Sequence, residues 1–173
     1  MQIIAGKFKG RRLAHPNIEK VRATPQKVRE AVFSIIHDKI IDAHFLDGFA
    51  GTGALGIEAA SRGASSVTFI EPRPKILRQN VAAFEGDFQI VSQAFSDAAK
   101  RLKRQFDIIY LDPPWTQPEL FELGLRCISN FDILAPYGWI VCEHHRKLTL
   151  SYPEKFSLRS EHLYGDIQLS ILQ

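Results

Sequence analysis

The chain has 173 residues, 45% of them hydrophobic and 24% charged, with a net charge of +3. That length and apolar content suit one ordinary domain with one core. No apolar run is long enough to span a membrane, and the opening "MQIIAGKFKGRRL" puts its short apolar part ahead of the charges, so no secretory signal is expected.

The charge is unevenly spread. Residues 1–40 hold nine Lys/Arg against Glu19, Glu30 and Asp38, a net of +6, while the remainder is net −3. A basic segment on a mildly acidic body implies a polyanionic partner met from one side. Lys7, Lys9, Arg11 and Arg12 lie within six residues with no acid among them, and Lys27 and Arg29 follow. Cys127 and Cys142 form no metal-like or redox-like pair, so reduced thiols in a cytoplasmic protein are expected.

In chain order, "TPQKVREAVFSIIHDKI" predicts a helix with Thr24 as N-cap and Pro25 at the first helical position. Val28, Ala31, Val32, Ile35 and Ile36 fall on one face, which should dock on the core; Lys27, Arg29 and Glu30 fall on the other, which should point outward. Strand and helix patterns then alternate. "HFLDGF", "SVTFIE", "FQIVSQ", "FDIIYLD" and "GWIVCEH" read as strands, and "ALGIEAASRG", "KILRQNVAAFEG", "SDAAKRLKRQ" and "PELFELGLRCISN" as helices. This rhythm predicts an α/β fold with a mostly parallel sheet covered on both faces. The end differs: "FSLRSEHLY", Gly165-Asp166 and "IQLSILQ" predict a C-terminal antiparallel hairpin.

Two motifs carry chemistry. "LDGFAGTGALGIEA" places Gly51, Gly53 and Gly56 as G-x-G-x-x-G between a strand and a helix, with Glu71 ending the next strand about twenty residues on. Glycines let the backbone approach a nucleotide cofactor, and Glu71 can take two ribose hydroxyls. A dinucleotide would set its pyrophosphate on the loop, where Asp47, four residues before Gly51, sits badly. S-adenosylmethionine has no phosphate and carries two cationic centres, so the charge favours the methyl donor. Nor is there a Tyr-x-x-x-Lys pair for hydride chemistry.

"YLDPPW" leaves the fourth strand at the same edge. The amine of a base is a poor nucleophile because its lone pair is delocalised. Asp112 and the Pro113 carbonyl can draw its two N–H bonds aside, and Trp115 can stack on the ring, which is worth roughly 1–3 kcal/mol.

"LDGFAGTGALGIEAASRGA" with "LDPPW" resembles the Rossmann-like class I S-adenosylmethionine-dependent methyltransferases of the amino-methylating type. "IIAGKFKGRRL", "RATPQKVREAVFSI" and "LYGDIQLSIL" are similar to the signatures of the bacterial small-subunit (16S) ribosomal RNA guanine-N2 methyltransferases, the RsmD family. The resemblance spans almost the whole chain. It implies one methyltransferase domain over residues 1–173, with residues 1–40 a basic RNA-binding extension packed on it. It also implies a monomer that acts on ribosomal RNA or an assembling small subunit, with no metal. Asp47, Gly51 and Gly53 would line the methionine part of the cofactor, Glu71 the ribose, and Gln93 and Ala94 the adenine. Asp112, Pro113 and Trp115 would hold the guanine amine. Lys7, Lys9, Arg11, Arg12, Lys27 and Arg29 would lie on RNA. The chain departs from the family's pattern at Gly48, where a leucine is usual and a looser loop entrance is expected. Ala23 replaces a proline, Trp115 a tyrosine or phenylalanine, and Gln93 is not the acid common in the wider superfamily.

Competing readings are an adenine-N6 methyltransferase, which needs a target-recognition domain this chain has no room for, and a non-catalytic RNA-binding protein with a methyltransferase shell. "EHHRK" could suggest a metal site, but His144 and His145 alternate across a strand and read as surface or strand-end residues. Cys142 reads as core, and "RLKRQ" as a solvated helix end.

Overall fold

The computed structural model describes residues 1–15 and 24–173. Ala23, Lys20 and Arg22 lie outside the described residues. Seven strands form one sheet: β1 (His44–Asp47), β2 (Ser66–Ile70), β3 (Phe88–Val91), β4 (Phe106–Leu111), β5 (Leu134–His145), β6 (Leu158–Tyr164) and β7 (Ile167–Leu172). Their order is β3-β2-β1-β4-β5-β7-β6. The first five neighbours run parallel, and β7 is antiparallel to both β5 and β6. Gly165 opens the β6–β7 turn with φ +65°. The mixed α/β sheet and its terminal hairpin are those expected.

The helices are α1 (Gln26–Ile35), α2 (His37–Ile40), α3 (Ala54–Ser61), α4 (Lys75–Val81), α5 (Phe95–Ala99) and α6 (Glu119–Asn130). Because strand side chains alternate, the sheet builds two cores. Phe45, Phe69, Ile108, Tyr110 and Val141 face one side with α1 and α3. Leu46, Ile70, Ile109, Leu111 and Cys142 face the other with α5 and α6.

Two helices are shorter than their periodicity suggests. After α4 the amides of Ala83 and Phe84 bond back three residues, to Asn80 and Val81 (both 3.0 Å). This tight turn drives Phe84 into the core, edge-on to Phe8 at 5.0 Å. After α5, Arg104 turns back to the Ser66 hydroxyl (3.2 Å) and the His44 ring, so this residue of "RLKRQ" is tied down.

The N-terminal residues are part of the core. A bridge between Gln2 and Arg12 closes a loop that buries Ile3, Phe8 and Leu13. The wholly buried Glu58 of α3 accepts the amides of Ile4 (2.7 Å) and Ala5 (3.0 Å) and pairs with Arg62 at 2.7 Å. A buried carboxylate is costly unless its lone pairs are filled, and here a neighbouring segment fills them.

Three expectations at α1 and the first loop are corrected. Pro25, not Thr24, takes the cap position, its carbonyl accepting the amides of Val28 (3.0 Å) and Arg29 (3.1 Å). Arg29 does not point outward: it is 3% exposed, under the N-terminal loop, and donates through both Nη atoms to the Gln2 carbonyl (3.3 and 3.2 Å). Burial therefore removes it from the surface available to RNA. Gly48 does not loosen the loop. A Cβ there would lie 2.8 Å from both Leu111 and Phe95, so those side chains already fill the space a leucine would take.

Candidate active site

The chain runs from β1 outward to β3, then crosses back to β4 on the other flank of β1. Ligands of such sheets bind beyond the carboxyl ends of the strands at this reversal. Asp47 pairs with Tyr110 across β1 and β4, and the Gly48 amide donates to the Tyr110 carbonyl at 2.9 Å. This register places the glycine loop and Asp112-Pro113 side by side.

The glycine loop is held from three directions. Gly51 and Gly53 adopt positive φ, +53° and +79°, a region that L side chains rarely enter. Gly56 lets α3 settle on β2, since a Cβ there would lie 2.3 Å from the Phe69 ring. Asp47, 2% exposed, accepts the Gly56 amide at 3.1 Å in the first turn of α3. Its carboxylate thus takes a helix N-terminal amide of the kind that would otherwise bind a phosphate. Burial pushes the Asp47 carboxyl up to about 7; the Gly56 hydrogen bond opposes the shift, and Glu71 adds to it. A nearby cation would favour its ionised form.

Glu71 bridges the ends of β1 and β2. Its Oε2 accepts the Gly51 amide and its Oε1 the Arg73 amide, both at 3.0 Å. With its oxygens fixed by backbone, it stands preorganised at the rim of the loop. Gln93 is half-buried and Ala94 exposed, where the chain passes from β3 to α5.

Asn80 escaped the sequence reading. It is 3% exposed, accepts the Ala14 amide (2.8 Å) and donates to the carbonyls of Ala14 (3.0 Å) and Thr52 (2.8 Å). It ties the N-terminal segment to the glycine loop. The available signal was a polar residue three positions after the buried Leu77, on the inward face of α4.

At the β4 end, Pro113 is buried and Asp112 and Trp115 are half-buried. Trp115 stands edge-on to His145, centroids 5.0 Å apart at 87°. The Thr24 hydroxyl donates to Asp112 Oδ2 at 3.4 Å, a contact across 88 residues of chain. Beneath them, the Tyr110 hydroxyl donates to the buried Glu143 carboxylate of β5. Burial raises the Tyr110 phenol well above its usual range, with the charges of Glu143, Asp112 and Asp47 adding to the effect, so it remains a donor. From sequence Thr24 was read only as a helix cap, and Glu143 only as part of "EHHRK".

The basic residues divide. Lys7, Lys9, Arg12 and Lys27 are exposed. Arg11 is exposed as well, although its guanidinium donates to the Ala83 carbonyl and lies 4.2 Å from the Phe84 ring centroid. His144 is a core residue, 1% exposed and bonded to the Ser170 hydroxyl at 2.9 Å, so it is strand-end but not surface. Among the described residues no group of three His, Cys, Asp or Glu forms a possible metal site, and no helix is long and apolar enough to cross a membrane.

The sheet order, the glycine loop and the carboxylate-tipped β4 define a class I methyltransferase. The solved structure of yhhF from Escherichia coli matches this fold with a TM-score of 0.90 at 29% identity, covering 100% of this chain and 97% of that one. The model of the family described as conserved hypothetical protein 95 matches residues 1–173, and the chain belongs to that family. Two relatives bear the name ribosomal RNA small subunit methyltransferase D. The one from Haemophilus influenzae is 32% identical, covering 100% of this chain and 93% of the relative. The one from Escherichia coli K12 is 33% identical, covering 100% and 89%.

Proposed function

We propose that the protein methylates the exocyclic N2 amine of a guanine in small-subunit ribosomal RNA, with S-adenosylmethionine as donor. The observation that carries this reading is the pair of unlike carboxylates at the ends of adjacent strands. Asp47 is withdrawn and bonded to the start of α3, whereas Asp112 is half-buried beside Trp115 and Pro113.

The residues fit the donor. Asp47 suits a cationic ligand because burial leaves its carboxyl short of a counter-charge. Gly51 and Gly53 present bare backbone, Glu71 offers its carboxylate to the ribose hydroxyls, and Gln93 and Ala94 edge the adenine. When bound, S-adenosylmethionine supplies a methyl group made electrophilic by its sulfonium. The chain's own part is alignment. Asp112 and the Pro113 carbonyl each accept one N–H of the amine, which turns its lone pair toward the methyl group. Trp115 holds the base. Asp112 then takes the proton that the methylated nitrogen must lose. Fixing both reactants in line removes the entropy cost of their encounter.

The whole chain is read as one domain with a basic N-terminal extension, residues 1–40, in which Lys7, Lys9, Arg12 and Lys27 meet RNA phosphates. Action as a monomer is part of this reading, and a ribosomal RNA substrate supports a cytoplasmic location. The test is incubation with labelled S-adenosylmethionine and ribosomal RNAs from cells lacking the protein, followed by digestion. Label in N2-methylguanosine of the small-subunit RNA is expected. Label in N6-methyladenosine, or in no nucleoside, overturns the reading.

A further inference from the structure

An open hollow of about 520 Å³ lies where the N-terminal loop meets the start of α1. Among the described residues its lining includes Gln2, Arg12, Thr24, Gln26 and Arg29, with no acid. Four features make it suited to an anion. Arg12 is exposed and lines the hollow, whereas its exposed neighbour Arg11 leans on Ala83 and Phe84 and does not line it. The N-terminus of α1, at Pro25 and Gln26, opens into it, and the amides of a helix's first turn favour negative charge. Arg29 lies in its wall, 3% exposed with both Nη atoms on the Gln2 carbonyl, so it adds positive charge from behind and makes no contact itself. Finally, of the two acids that act on Arg29, Glu58 is already occupied by Arg62 and two backbone amides, and Glu30 accepts from Gln26.

The hollow also adjoins the chemistry. Thr24 lines it and donates to Asp112. Asp112 therefore stands next to this wall.

We propose that the hollow is the subsite for the ribose-phosphate unit next to the target guanine, with Arg12 as its phosphate ligand and the α1 N-terminus behind it. This rests on the functional reading above. It sets Arg12 apart from the diffuse attraction of Lys7 and Lys9, because it names one phosphate and not a general field.

The test uses full-length small-subunit RNA into which a synthetic stretch has been ligated. That stretch carries the target guanine and a single uncharged methylphosphonate at each phosphate within two nucleotides, one per molecule. For the wild-type protein one position should raise the KM for RNA about tenfold, the loss expected for a charge-assisted hydrogen bond. Arg12→Ala should raise the KM for unmodified RNA by a similar factor, and the methylphosphonate should then add less than twofold. Gln26→Glu, an exposed change that places a carboxylate at the hollow, should weaken unmodified RNA and reverse the preference in favour of the methylphosphonate. Affinity for S-adenosylmethionine should be unchanged in both variants. Multiplicative effects of Arg12→Ala and the methylphosphonate, or the absence of any sensitive phosphate, would overturn the subsite. Wild-type protein that transfers no methyl group to any ribosomal RNA would instead overturn the functional reading, and the subsite with it.

Discussion

Asp47 and Asp112 close neighbouring strands of one sheet, yet their surroundings differ in kind. Asp47 is supported by Gly56, nine residues away, inside a single strand-loop-helix unit. Asp112 is reached by Thr24 from a segment 88 residues away. The centre of the donor half is thus a local strand-loop-helix unit, which Glu71 and Asn80 brace from outside. The acceptor half is assembled by docking the N-terminal segment on the sheet. Changes near Asp47 should therefore act on cofactor affinity, and changes near Asp112 on turnover.

The largest test of that division is Asp112→Ala. Turnover should fall by about 10²–10⁴, the range for a lost proton-accepting group. Affinity for S-adenosylmethionine, measured by calorimetry, should stay within about twofold. Equal losses in both would mean that the two carboxylates serve one undivided site.

The division also explains what the sequence disclosed. Strand alternation, the glycine loop and Glu71 depend on residues close in the chain, and they were legible as patterns. Arg29 was misjudged because the stripe through Val28, Val32 and Ile36 explains α1 without it. What covers Arg29 is the Gln2 carbonyl, and nothing local to α1 announces that contact. Thr24 has the right identity for a cap but turns its hydroxyl to Asp112. Asn80 looked like one more polar helix residue until Ala14 and Thr52 were placed against it. Gly48 was judged by what it lacks, although Leu111 and Phe95 supply the missing volume. In each case the missing information was the identity of a partner remote in sequence.

A smaller effect should appear with pH. Burial holds the Asp47 carboxyl at about 7, above its ordinary 3.8. The folded protein thus favours the neutral acid. Taken alone, the group's contribution to stability is full below about pH 4 and is lost as pH rises through 7. A cationic ligand reverses the preference, because it binds the ionised form. Affinity for S-adenosylmethionine should rise with pH up to about 7 and then level off, with a loss of up to about tenfold per unit below that. Asp47→Asn keeps an acceptor for the Gly56 amide and removes the charge. Its affinity should be low and flat across the range. A wild-type profile without this slope would mean that Asp47 only braces α3.

The smallest effect concerns Thr24, the contact that joins the two halves of the acceptor site. At 3.4 Å its hydrogen bond to Asp112 is long, so its worth lies at the low end of about 0.5–1.5 kcal/mol. Valine has nearly the same shape without the hydroxyl. Thr24→Val should lower kcat about two- to fivefold by loosening one oxygen of Asp112. Thr24→Ser, which retains the donor, should restore most of the loss. Neither change should alter S-adenosylmethionine affinity, because the glycine loop is held by Asp47, Glu71 and Asn80. The KM for RNA separates two roles that Thr24 could play, since the residue also lines the hollow beside α1. A fall in kcat at constant KM marks orientation of Asp112. A rise in KM with kcat unchanged would assign the hydroxyl to RNA binding and leave Asp112 to be oriented by other contacts.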